Sequence, residues 1–273
     1  MVTMQRKCSY KVIALSLFIG NFTTHSLASS LASSHQSCNE VVVSAHPDYA
    51  PFHWVDDGRF TGASIDITGS ILTGMGVPWR AEYVGPWKRV LQKAYSGEVD
   101  LIPALKKTTE REQFLNYTNS HFYNNPIAIY GRATSELRDV KNLEDLNGRV
   151  GAVNAGDSHG EKVDAYLSVQ NVMQVKGIAQ IFEMLKMGRI DYFVIGKQTA
   201  ESYLKNEGLK THFEIILEID NAVVHHAFSK RSSCLYLKDE FDKRLEQMVI
   251  SGEVENAINI YKERWFNRRL LVE

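Results

Sequence analysis

Arg111 is the side chain in this sequence best placed to do chemistry. It sits in the turn Thr109-Glu110-Arg111, just past the apolar run Val99 to Pro103. Upstream, Trp87, Val90, Leu91 and Ala94 recur at helical spacing, and Gly97 can close that helix in a left-handed cap. The stretch predicts a helix, a short buried strand and then Arg111 beyond the strand's carboxyl end. Ligands bind at that edge in open α/β sheets, where a guanidinium can grip a carboxylate through two parallel hydrogen bonds. The alternative is an exposed ion pair with Glu110 or Glu112, which contributes about 0 to 1 kcal/mol. Lys106 and Lys107 add positive charge beside the arginine.

Other chemistries lack motifs. His46 and His53 lie seven apart and His225 adjoins His226, yet no CxxC, HExxH or third ligand accompanies them, so no metal site is expected. The stretch from Thr61-Gly62 to Gly76 has neither GxxxxGK[ST] nor GxGxxG, so no nucleotide and no cofactor is expected. No catalytic residues can be read from scattered Ser, His and Asp, and an enzyme is not expected.

The first residues read as an export signal. Arg6, Lys7 and Lys11 precede the apolar run Val12 to Gly20, which is too short to span a bilayer, and Ser26-Leu27-Ala28 and Ser30-Leu31-Ala32 are small-x-small cleavage sites. Residues 1–28 are expected to be removed, with cleavage after Ala28 preferred to Ala32, leaving a short segment 29–38. Cys38 follows His35-Gln36-Ser37, which is not a lipobox. Cleavage removes three positive charges and no acidic ones, taking the formal net charge from -1 to -4 and arguing against nucleic acid as a partner. The mature chain keeps Cys38 and Cys234. In an oxidising compartment that even pair suggests one disulfide, the alternative being two unrelated thiols.

These residues must be positioned by a duplicated arrangement. The helix ending at Gly97 feeds Val99-Asp100-Leu101-Ile102, and Ile178, Ile181, Phe182 and Leu185 end at Gly188 and feed Ile190-Asp191-Tyr192-Phe193. Further strands are expected at Glu40 to Ala45, Arg80 to Tyr83, Ile127 to Tyr130, Arg149 to Asn154 and Phe213 to Glu218. Strands alternating with helices in two blocks predict two α/β lobes, each a sheet flanked by helices. The tail returns as helices carrying Leu237, Phe241, Leu245 and Met248, then Val254, Ile258, Tyr261 and Trp265.

Landmarks spread over nearly all of the mature chain resemble the family 3 bacterial extracellular solute-binding proteins, the periplasmic receptors of polar amino-acid ABC transporters. They are Tyr49-Ala50-Pro51-Phe52, Gly62 and Asp66, Trp87, Gly97-Glu98-Val99-Asp100, and Thr109-Glu110-Arg111 followed by Tyr117-Thr118. Gly148-Arg149-Val150-Gly151-Ala152-Val153 and Gly188-Arg189-Ile190-Asp191 complete the order. The resemblance implies a two-lobed, type II-like periplasmic-binding-protein fold joined by a two-strand hinge. The crossovers are expected near Asn124 to Ala128 and Ala222 to His225. Lobe 1 is then residues 39–124 and 225–273, and lobe 2 residues 125–224.

The resemblance also assigns a site. Arg111 would anchor a carboxylate, Tyr49 and Trp87 would lie against the ligand, and Asn154, Asp157 and Ser158 would meet it from the loop Asn154 to Gly160, with Lys106 added by its charge. Each has a plainer reading: Trp87 as a core aromatic, Tyr49 packed on Pro51, the loop as a polar turn or an anion site at a helix N-terminus. Two departures stand out. Where amino-acid receptors of this family carry an acidic partner for the α-ammonium, the chain reads Ile195-Gly196-Lys197, and Leu105-Lys106-Lys107 replaces a small-hydroxyl and glycine pattern. The expected function is periplasmic capture of a small polar, carboxylate-bearing solute by a monomer, for the membrane permease of an ABC importer. Alternatives are a ligand-sensing module for a membrane sensor and a dehydratase-like periplasmic enzyme.

Overall fold

A computed structural model describes residues 37–219 and 222–268. The expected signal peptide and both candidate cleavage positions lie outside these residues. The first block runs β1 (Val41–Val43), β2 (Asp48–Tyr49), β3 (His53–Asp56), β4 (Arg59–Thr61), α1 (Ala63–Gly74), β5 (Trp79–Ala81), α2 (Trp87–Ser96), β6 (Leu101–Leu105), α3 (Thr109–Glu112) and β7 (Leu115–Asn124). The second runs β8 (Ile127–Arg132), β9 (Gly151–Asn154), α4 (Glu161–Ser168), β10 (Val172–Val175), α5 (Ile178–Lys186), β11 (Tyr192–Gly196), α6 (Lys197–Asn206) and β12 (Phe213–Ile219). The chain then returns through β13 (Val223–Ser229), α7 (Lys238–Ile250) and α8 (Glu253–Asn267).

Two sheets share one plan. The first has the order β5-β1-β6-β13-β7 and the second β10-β9-β11-β8-β12. In each, four strands run parallel and one antiparallel to them: β13, which enters the first sheet between β6 and β7, and β8, which enters the second between β11 and β12. The chain crosses between β7 and β8 and again between β12 and β13, so two short segments link the sheets. β13 joins the first sheet from Val223, two residues ahead of the expected position 225, because Val223 and Val224 pair with Asn124 and Tyr123 of β7.

Local sequence explains the elements that carry the site. In α2 the apolar face buries Trp87, Val90 and Ala94, and the helix ends at Gly97 with φ 87°. A Cβ there would stand 2.9 Å from the Arg231 carbonyl oxygen, so both conformation and space call for glycine. The Val99 amide donates to the Lys93 carbonyl within that cap, and β6 therefore starts at Leu101 rather than at the expected Val99. Asp100 fixes the strand's entry: its carboxylate accepts from the Val42 amide at 2.8 Å and the Ser232 hydroxyl at 2.6 Å.

The first sheet's core gathers Val41, Leu72, Leu101, Phe228, Phe241 and Ile258, while Val90, Ile102 and Leu115 pack under α2. The second sheet buries Ile181, Phe182 and Phe193 in one cluster and Ile129, Tyr192 and Val194 in another. Each such side chain contributes about 1.5 to 3 kcal/mol on burial. Cys38 and Cys234 form a disulfide that closes 196 residues, and both pack on the first core. No helix among the described residues is long and apolar enough to cross a membrane.

Candidate functional site

A cleft opens where the carboxyl ends of β1 and β6 face those of β9 and β11. Its lining includes Tyr49, Trp87, Lys106, Arg111, Asp157 and Ser158. Asn154 lies beside it through its contacts with His46 and Asp157. The fold thus brings together the seven residues that the sequence pattern singled out, though not all in the same role.

Arg111 lies within the one-turn helix α3, whose cap, the Thr108 hydroxyl, accepts from the Arg111 amide. The residue is 7 % exposed; its guanidinium donates to the Lys106 carbonyl at 3.0 Å and reaches the Gly156 carbonyl across the cleft at 3.5 Å. It stands 5.4 Å from the Trp87 ring centroid. The indole N–H of Trp87 also crosses the cleft, donating to the Gly156 carbonyl at 3.0 Å. Two side chains of the first half therefore meet one carbonyl of the second. These bonds leave guanidinium N–H groups for a further acceptor, since the group carries five.

His46, for which the sequence favoured an ordinary polar or hinge role over a metal site, follows β1 and lies 5.5 Å from the Trp87 ring centroid. Its Nδ1 accepts from the Asp48 amide at 3.0 Å, which places the proton of a neutral ring on Nε2. Nε2 stands 3.2 Å from the Asp157 carboxylate on the other side of the cleft. Burial alone would lower the His46 pKa, but Asp157 and Asp48 together outweigh it and the value is raised. Burial would likewise raise the Asp157 pKa, and His46 and Asn154 bring it below the usual carboxylate range. Asn154 Nδ2 donates to Asp157 at 3.2 Å, and its Oδ1 accepts from the Gly177 amide.

Lys106 faces the linking segments. Its ammonium donates to the Asn125 carbonyl at 2.9 Å and also to the Ala222 carbonyl, so one side chain joins both crossings. Burial lowers its pKa to about 7. Ser158 donates to Asp164 at 2.5 Å, and Asp164 also accepts from the His159 amide at 2.8 Å. That carboxylate, from within α4, takes the donors that the sequence reading offered to an anion. Thr109 closes the rim, its amide donating to Glu161 at 3.0 Å.

Asn125 is fully buried between the crossings and was not singled out by the sequence. Its Nδ2 donates to the Tyr49 hydroxyl at 2.9 Å, and its Oδ1 accepts from the Gln198 amide at 3.0 Å. A Cβ on Gly196 would lie 2.4 Å from Asn125 Nδ2. The missing acid after β11 therefore has a steric cause: the Asn125 amide fills the space. A polar residue before Pro126 at a strand junction was the signal available. Among the described residues no group of three or more His, Cys, Asp or Glu could hold a metal ion.

Two linked α/β halves with a buried arginine at the cleft define a two-lobed binding protein. The chain belongs to the bacterial extracellular solute-binding proteins, family 3, whose model matches residues 41–268. It is 25 % identical over 246 residues to a probable amino-acid ABC transporter-binding protein of Haemophilus influenzae, covering 86 % of this chain and 89 % of the relative. Among solved structures it resembles the amino-acid ABC transporter substrate-binding protein AbpA of Streptococcus pneumoniae bound to L-arginine. That likeness has a TM-score of 0.67 and 22 % identity and covers 84 % of this chain and 96 % of that one. A histidine kinase sensor domain with similarity to periplasmic binding proteins matches at TM-score 0.67 and 22 % identity, over 83 % and 95 % of the two chains. Members of the family are substrate-binding proteins.

Proposed function

We propose that this protein captures a small, polar, carboxylate-bearing solute between its two halves, in the periplasm, and hands it to the permease of an ABC importer. The observation that carries this is the Arg111 guanidinium: it is held by two main-chain carbonyls, backed by Trp87, and has donors left for a carboxylate at the cleft. A bidentate pair in such a setting is strong and oriented. Tyr49 and Trp87 form the aromatic walls, and the Asn154 to Ser158 loop meets the solute from the second half. The two crossings, after β7 and before β13, let the halves close on the solute, a population shift driven by contacts made with both. In this reading the chain is exported by a signal peptide cleaved after Ala28 and works as a monomer.

The relative described as a probable amino-acid ABC transporter-binding protein supports transport. The sensor-domain likeness keeps a second reading, in which the same capture is relayed to a membrane signalling protein. Both need Arg111. A thermal-shift screen of amino acids, dicarboxylates and small peptides identifies a stabilising solute, and calorimetry on Arg111→Ala then tests the anchor.

A further inference from the structure

We propose that the captured solute carries net negative charge, because among the described residues the cleft lining offers a ligand ammonium no acid that is not already engaged. The proposal rests on the capture reading above and narrows it to a class of solute. Among the described residues of the lining, the cations are Lys106 and Arg111 and the carboxylate is Asp157. Asp157 is already matched, 3.2 Å from His46 Nε2 and held by Asn154. The hydrogen bonds of Arg111 and Lys106 go to main-chain carbonyls, and neither lies in an ion pair among the described residues. Carbonyl dipoles orient a buried cation without cancelling its charge, so an anion in the cleft is favoured.

The remaining wall cannot supply the missing acid. At the end of β11, Gly196 faces the Asn125 amide, which stands 2.4 Å from where a Cβ would be. That amide is fixed from both sides, by the Tyr49 hydroxyl and the Gln198 amide. The neighbouring lining residues Ile195 and Thr199 are uncharged. A ligand ammonium would have to displace His46 from Asp157. A basic amino acid would bring one more cation to a lining whose described carboxylate is engaged, and Asp48, outside the lining beside His46, is held by the Ile178 main chain with its pKa raised by burial. A solute with two carboxylates instead answers both Arg111 and Lys106.

The test uses succinate, 2-oxoglutarate and L-glutamate as anionic probes against L-glutamine and L-arginine, at matched ionic strength, by thermal shift and calorimetry on the mature protein. At least one anionic probe should stabilise the protein and bind tenfold or more tighter than L-glutamine, with L-arginine giving no shift. Tighter binding of L-glutamine or L-arginine, or no binding of any anionic probe at 10 mM, overturns the proposal. Asp157→Asn separates the two roles of that carboxylate. Removing a negative charge should tighten the anionic probe severalfold, whereas a tenfold loss would show Asp157 holding an ammonium and overturn the inference. Arg111→Ala reports on the anchor alone: an anionic probe that bound this variant at wild-type strength would remove the anchor reading while supporting the charge inference.

Discussion

Lowering the pH should unfold this protein through two buried histidines of the first half. His226, in β13, is fully buried between the rings of Phe122 and Phe241, at 5.0 and 5.4 Å. Its Nε2 meets the Thr68 hydroxyl at 3.0 Å, and its Nδ1 has no partner among the described residues. Burial lowers its pKa to about 3, with His225 pushing in the same direction. His53 is buried too: the Ser64 hydroxyl donates to the Phe52 carbonyl and so accepts from His53 Nδ1 at 2.8 Å, which places the proton of a neutral ring on Nδ1. Its pKa is lowered well below the usual value, first by burial. A histidine depressed in the fold contributes stability that is complete above its unfolded pKa of about 6.5 and is lost as the pH falls toward the folded value. Each such group costs about 1.4 kcal/mol per pH unit, so His226 alone accounts for about 2 kcal/mol between pH 6.5 and pH 5. His46, with its raised pKa, works in the opposite sense, its contribution being lost as the pH rises through its folded pKa. Urea unfolding of wild type and His226→Gln from pH 7 to pH 5 measures the difference. The variant should lose stability less steeply, by about 1.4 kcal/mol per pH unit. Parallel slopes for the two proteins would refute the assignment.

Reducing the Cys38–Cys234 bridge, which closes 196 residues, should remove about 5 kcal/mol by chain-entropy reasoning, an upper figure. At about 2 to 4 °C per kcal/mol the melting temperature should fall by about 10 °C or more. Solute binding should persist, since both cysteines belong to the first half. Two titratable thiols in the unfolded, unreduced protein would contradict the pairing. Gly196→Ala should cost about 1 to 3 kcal/mol, because its Cβ must push Asn125 off Tyr49 or Gln198. An alanine variant as stable as wild type in urea would show that Asn125 is not fixed there.

What the sequence made legible was local. The α2 helix, its Gly97 cap, the buried β6 and the Arg111 turn lie within one short stretch whose spacing encodes them. The cysteine pair needed only a count. β7 was missed because Leu115–Asn124 is mostly polar, and its strand state comes from pairing with β13, more than a hundred residues away. β10 was missed because it is four residues long and half exposed at a sheet edge. The site divides in the same way. Arg111 and Trp87 carry local patterns, whereas the His46–Asp157 pair and the Lys106 link between the crossings join residues from distant parts of the chain. The Gly196 departure was visible as an absence. Its cause, the Asn125 amide, exists only once the two crossings lie side by side.

Calorimetry of Arg111→Ala and Arg111→Lys, with a solute that stabilises the wild-type protein, tests the central claim most directly. Truncation leaves the ligand carboxylate desolvated and unpaired, so Arg111→Ala should weaken binding by about 2 to 5 kcal/mol. Lysine should recover only part of it, because an ammonium lacks the planar fork that Arg111 presents beside Trp87. A folded Arg111→Ala protein that binds the solute with undiminished affinity would contradict the account.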